Sequence, residues 1–173
     1  MDAVSQLSNL NTIATESALS AWAYASDFLI VIILFAVLFV FAWYVGRGPF
    51  VGLLISFYAG YALYTVFPFF YLLPSEPPLA MLLSMLAVFA LLCGVAYLVL
   101  RRAVVSDFIS IGLIGLIILS LLGAGFLLVL AYHTFPVREV YAFSPTLDLL
   151  FAAKQYFFWW FSAPLVGLFF LAR

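Results

Sequence analysis

Long apolar stretches separated by short polar breaks set the pattern of this chain. Phe28 to Val45, Pro49 to about Leu73, Leu79 to Leu100 and Phe108 to Tyr132 each run without an Asp, Glu, Lys, Arg or His. About 20 helical residues cross a hydrocarbon core of ~30 Å, so each run is of spanning length. A strand in lipid needs a closed barrel and alternating polarity, which these runs lack, and they are therefore predicted as helices. A fifth stretch, Thr146 to Ala172, holds Asp148 and Lys154, then the aromatic run from Tyr156 to Phe161, then Pro164 and a short apolar tail. Aromatic belts of this kind belong at the membrane interface. Two readings stay open for it. One is a helix lying in the interface up to about Trp160, followed by a remainder too short to cross alone. The other is a single tilted span.

The breaks are compact. Gly46-Arg47-Gly48 ends the first helix and Pro49 begins the second, because proline suits a first helical turn and glycine allows the reversal. Helices one and two are thus expected as an antiparallel hairpin. Pro74-Ser75-Glu76-Pro77-Pro78 breaks the chain again, Arg101-Arg102 marks the next return, and His133 to Pro145 is the longest connection before the last segment. Basic residues in short loops stay on the cytoplasmic side. Arg47, Arg101 and Arg102 share one face, and the acidic N-terminal segment and the Glu76 loop share the other, so the N-terminus is expected outside. Residues 1–27 carry Asp2, Glu16 and Asp27 with no Lys or Arg, and Val4, Leu7, Leu10, Ala14, Ala18 and Trp22 recur at threes and fours. That segment reads as an amphipathic interfacial helix or as a disordered tail. With no basic n-region, no cleavable signal peptide is expected.

Composition sharpens the picture. Of 173 residues, 69% are hydrophobic and 8% charged, against about half apolar and a quarter charged in soluble domains. So few charged groups cannot cover a soluble surface, and lipid removes the need. Six basic residues, scattered singly or as one pair, make no phosphate-binding stripe, so no nucleic acid is expected. Cys93 is alone and offers neither an intrachain disulfide nor a thiolate cage.

Lipid tails are as apolar as leucine, so close packing through small residues must hold such helices together. Helix two carries Gly48, Gly52, Ser56 and Gly60 at spacings of four, a small-xxx-small groove on one face. Ala80, Ala87 and Gly94 repeat by seven on helix three, and Gly112 and Gly115, with Ser120 and Gly123, loosen helix four. The groove serves packing within one subunit or a homo-oligomer seam. Lys154, Trp159 and Trp160 are candidate interfacial anchors.

Chemistry is sparse. Intramembrane ionisable groups mark relays and ion paths, and the four runs have none. Thr65, Ser56, Ser84, Ser110 and Ser120 could line a channel or bond back to their own helices. His133 is the only histidine, and one His without Cys or His partners cannot make an ordinary zinc site. A pairing with Glu139 or Asp148 would give it chemistry on lipid headgroups, and a headgroup-facing surface His is the plainer alternative. No catalytic, metal or cofactor residue is assigned, and no enzyme activity is expected.

The layout resembles the colicin V production protein (CvpA) family of bacterial inner-membrane proteins. The residues that carry the likeness are Gly46-Arg47-Gly48 running into Gly52, Val99-Leu100-Arg101-Arg102 at the end of span three, and Gly112-Leu113-Ile114-Gly115 in span four. A connection from Ser144-Pro145 to Leu149-Leu150-Phe151 and Tyr156-Phe157-Phe158-Trp159 completes it. The resemblance implies a link to toxin production or export and envelope homeostasis, without catalytic residues. The expected fold is all-α: a polytopic membrane bundle of four transmembrane helices plus a C-terminal aromatic interfacial or re-entrant helix, or a fifth span. Its parts are residues 1–27, a four-helix domain at 28–132, and an outer loop with the aromatic segment at 133–173. The expected role is a non-enzymatic inner-membrane scaffold or accessory protein, with a small oligomeric channel or transporter subunit as the alternative. Its partners would be the bilayer, further copies of itself or other membrane proteins.

Overall fold

Every regular element of the computed structural model is helical among the described residues, which are 28–103, 111–143 and 145–171. The readings for residues 1–27, Ser110 and the start of the fourth run at Phe108 lie outside them. Helix α1 is Phe28–Val45 and α2 is Arg47–Thr65. A 3-10 turn at Phe70–Leu72 follows, then α3 at Pro78–Ala103 and α4 at Leu113–Thr134. Short α5 (Val137–Val140) and α6 (Pro145–Leu147) come next, α6 running into a π-helical turn at Asp148–Ala152, and α7 is Lys154–Leu171.

The α1–α2 hairpin turns on one residue. Gly46 has φ 108° and is the only link between Val45 and Arg47. That backbone region is strained for a residue with a Cβ, so glycine is required there. Helix α2 starts two residues before Pro49 and stops at Thr65, short of the expected Leu73. Phe67 precedes Pro68, and a residue before proline is pushed out of the helical region, so the remaining apolar residues fold into the 3-10 turn instead.

Three helices, α1, α3 and α4, are long and apolar enough to cross a membrane. Their burial differs. Of the most apolar window in each, 61% is buried in α4, 22% in α3 and 11% in α1, so α4 is the central helix. Antiparallel α1 packs on it through Leu38 and Ala42, which share a core with Leu54, Leu116, Leu119 and Ala124. Helix α3 runs antiparallel to α2: Gly52 faces Tyr97, Gly60 faces Cys93, and the Tyr64 and Phe89 rings meet edge to face at 5.9 Å.

Helix α7 departs from the expected interfacial helix ending near Trp160. It is continuous through Pro164 to Leu171 and lies antiparallel to α4. Trp160 sits on Gly125, Gly167 on Leu119 and Leu122, and Leu171 beside Gly115. A proline inside a helix removes an N–H and crowds the preceding turn. The carbonyl left without its helical donor is that of Trp160. Tyr58 of α2 holds the next one: its hydroxyl donates to the Phe161 carbonyl at 2.6 Å and ties the turn before the proline to α2.

The bundle therefore has two ends. Gly46, Arg47, Arg101, Arg102, Gly112 and Leu171 lie at one. The 66–77 connection, α5, α6 and the start of α7 lie at the other. Between them the outward faces are apolar, with Ile32, Val37, Leu91, Leu98, Ile114 and Phe169 all exposed. A continuous girdle of this kind is far larger than the apolar patches of soluble monomers.

Candidate functional site: the small-residue contacts and the pocket where three helix ends meet

The glycine row of α2 is spent largely inside the chain. Gly48 is half-buried in the first turn, while Gly52, Ser56 and Gly60 are buried. A Cβ at Gly52 would stand 3.9 Å from the Tyr97 ring, an ordinary contact, whereas at Gly60 it would land on the Cys93 sulfur and 3.0 Å from the Cys93 Cα. The backbones of α2 and α3 approach most closely there, and only glycine fits. The Ser56 hydroxyl donates to the Leu53 carbonyl at 2.6 Å, and those of Thr65 and Ser84 to Ala62 and Met81, both at 2.8 Å.

The heptad row on α3 lies elsewhere. Ala80 is half-buried, Ala87 and Gly94 are exposed, and a Cβ on Gly94 would meet nothing within 4 Å. On α4, Gly112 also faces open space, while a Cβ at Gly115 would lie 2.8 Å from the Ile111 side chain and 3.6 Å from Leu171. Two close contacts have no spacing signature in the sequence. Gly125 carries the Trp160 ring, whose Cζ3 lies 2.7 Å from where a Cβ would be, and Gly167 receives Leu122. Both depend on α7 being placed along α4.

Arg47, Arg101 and Arg102 are exposed at the first end of the bundle. Arg47 lines a cavity of about 250 Å³ with Trp43, Gly46 and Leu113. Of the anchors, Lys154 and Trp159 are exposed, but Trp160 turns inward: its ring meets Phe151 at 4.9 Å and its Nε1 donates to the Leu150 carbonyl at 3.1 Å. That bond ties α7 back to the π-helical turn.

At the second end, α2 finishes, α4 finishes and α7 begins, and the three ends border an open cavity of about 320 Å³ lined by Tyr61, His133, Lys154 and Phe157. The Tyr58, Phe126 and Phe161 rings meet in tilted and edge-to-face contacts with centroids 4.6 to 5.2 Å apart, and Phe161 touches both Tyr61 and Phe157 of the lining. The His133 ring leans on Phe157 at 4.9 Å. Its Nδ1 lies 3.1 Å from the Val129 carbonyl. A carbonyl can only accept, so Nδ1 carries the hydrogen and, in the neutral ring, Nε2 presents a lone pair. That Nε2 is buried without a hydrogen-bond partner. Neither Glu139, exposed on α5, nor Asp148 lines the cavity. Asp148 accepts from Arg138 at 2.7 Å, and the Arg138 guanidinium lies 5.7 Å over the Tyr132 ring.

No family model, no curated protein and no solved structure matches this chain.

Proposed function

We propose that the chain is a non-enzymatic integral protein of the bacterial inner (cytoplasmic) membrane, acting as a scaffold or accessory factor in envelope function. In this reading α2 and α7 cross the bilayer beside α1, α3 and α4. Helix α7 has 18 residues and spans about 27 Å at 1.5 Å per residue, close to a hydrocarbon core. Its register along α4 supports a crossing. The end bearing Arg47, Arg101 and Arg102 is cytoplasmic, and the start of α1 is outside.

One observation carries the reading: every charged side chain among the described residues stands at a helix end or in a connection, and the helix surfaces between are apolar. A scaffold needs no more than that. The hydroxyls of Ser56, Thr65 and Ser84, which a conduit would turn toward its ions, bond back to their own helices, whereas that of Ser120 is buried in the bundle without a partner among the described residues; the first three favour a scaffold over a channel. The resemblance to the colicin V production protein family rests on the short motifs alone, and membership would place the role in toxin production or export and envelope homeostasis. The test is reconstitution of the purified protein into liposomes carrying a potassium or proton gradient. The gradient is expected to persist at every protein density, and a leak that scales with protein would overturn the scaffold in favour of a conduit.

A further inference from the structure

The cavity at the second end has chemistry that neither the helix packing nor a scaffold role uses. A buried polar atom without a partner is uncommon and calls for one. His133 Nε2 is such an atom, and with Nδ1 committed to Val129 the neutral ring accepts there. Its partner must therefore bring an N–H or O–H. Almost none of Nε2 is open to solvent, so a ligand reaches it by turning a neighbouring side chain of the pocket aside. Lys154 lines the same cavity, is exposed, and takes part in no ion pair among the described residues. Its ammonium only donates, so its partner must bring an acceptor and favours negative charge. The other basic side chain at this end, Arg138, is engaged by Asp148. The Phe157 and Tyr61 rings supply apolar walls, and Tyr61 adds a hydroxyl that donates or accepts.

We propose that this cavity holds the headgroup of a phospholipid whose phosphate lies a few bonds from an N–H or O–H donor: the phosphate on Lys154, the donor on His133 Nε2. The inference rests on the membrane reading above, which puts the cavity at the depth where the apolar faces of α2, α4 and α7 give way to polar connections. A phosphoethanolamine headgroup meets both demands. A phosphocholine headgroup has the same phosphate and cation but no donor, and it leaves Nε2 unpartnered. Discrimination of this kind, by a site built around a hydrogen bond that the wrong ligand cannot make, is a strong form of selectivity.

The experiment places the full chain in phosphatidylcholine nanodiscs doped with equal small amounts of spin-labelled phosphatidylethanolamine or phosphatidylcholine and measures the immobilised fraction of each. Phosphatidylethanolamine is expected to be retained roughly tenfold better, the worth of one hydrogen bond to a charged partner. His133→Phe, which keeps the ring contact with Phe157, should abolish the preference, and Lys154→Met should weaken retention of both lipids. Gly94→Ala, in open space on α3, should change neither. Equal retention by the unaltered protein, or an undiminished preference in His133→Phe, would overturn the proposal. Displacement by millimolar free phosphoethanolamine would overturn the lipid assignment in favour of a soluble phosphate ester. Failure of the chain to enter the discs would overturn the membrane reading, and the proposal with it, and is seen before any lipid is counted.

Discussion

A side chain at position 60 would have to displace backbone. The Cys93 Cα lies 3.0 Å from where its first carbon would be, and α3 cannot retreat there without losing the edge-to-face contact of Tyr64 and Phe89. Gly60→Leu is therefore expected to destabilise the bundle by about 1–3 kcal/mol, the usual cost of forcing atoms into a packed core. Thermal unfolding in detergent measures it. Gly94→Leu makes the same chemical change where nothing lies within 4 Å, and it should leave the midpoint unchanged or raise it slightly, because leucine favours the helix more than glycine. Cys93→Ala removes one sulfur from the same contact and should cost no more than about 1 kcal/mol. Equal loss in Gly60→Leu and Gly94→Leu would show that the α2–α3 approach is not what the glycine serves. The row of small residues on α2 was legible from spacing alone. Which of its members touches a neighbour was not, because Gly52 and Gly60 look alike in sequence and differ only in what α3 presents to them. Gly125 gave no signal at all, since its partner Trp160 stands on a helix whose course along α4 local pattern does not reveal.

At the scale of elements, α7 holds the most informative disagreement between pattern and structure. Asp148 and Lys154 interrupt the apolar run and the aromatic belt suits an interface, so the stretch reads either as an interfacial helix with a short tail containing Pro164 or as one tilted span. The helix continues through Pro164, packed along α4 on both sides of it, and Tyr58, 103 residues away, ties the turn before it to α2 by donating to the Phe161 carbonyl. No window along the chain contains both groups. Tyr58→Phe should therefore cost about 1 kcal/mol, in the range of interhelical hydrogen bonds within membranes. In a Pro164→Ala background the regained N–H serves the Trp160 carbonyl and not that of Phe161, so the same substitution should cost as much. A double-mutant cycle by thermal unfolding in detergent is therefore expected to close near zero, and a coupling above about 0.5 kcal/mol would contradict two separate carbonyls. By contrast the end of α1 was legible to the residue, since an unbroken apolar run meets a glycine that alone tolerates its turn. The end of α2 was set too late, because hydropathy continues past Thr65 while Pro68 redirects the backbone.

The molecule as a whole joins these pieces into a bundle centred on α4, apolar outside and charged at its ends. Hydropathy made the all-helical architecture and three long apolar helices plain, and the single histidine drew attention to one end. The cavity that surrounds it was not legible, because Tyr61, His133 and Lys154 come from three different helices and meet only through packing. The same packing turns α7 back toward the arginine end, and the account depends on that return. Cysteine accessibility tests it most directly. In a Cys93→Ala background, Ser75→Cys in the connection before α3 and Arg173→Cys, just beyond the described residues, are exposed in intact cells to a membrane-impermeant maleimide. Five crossings predict labelling of Ser75→Cys at once and of Arg173→Cys only after the membrane is permeabilised. Labelling of both in intact cells would put the two positions on one side and contradict the crossing of α7.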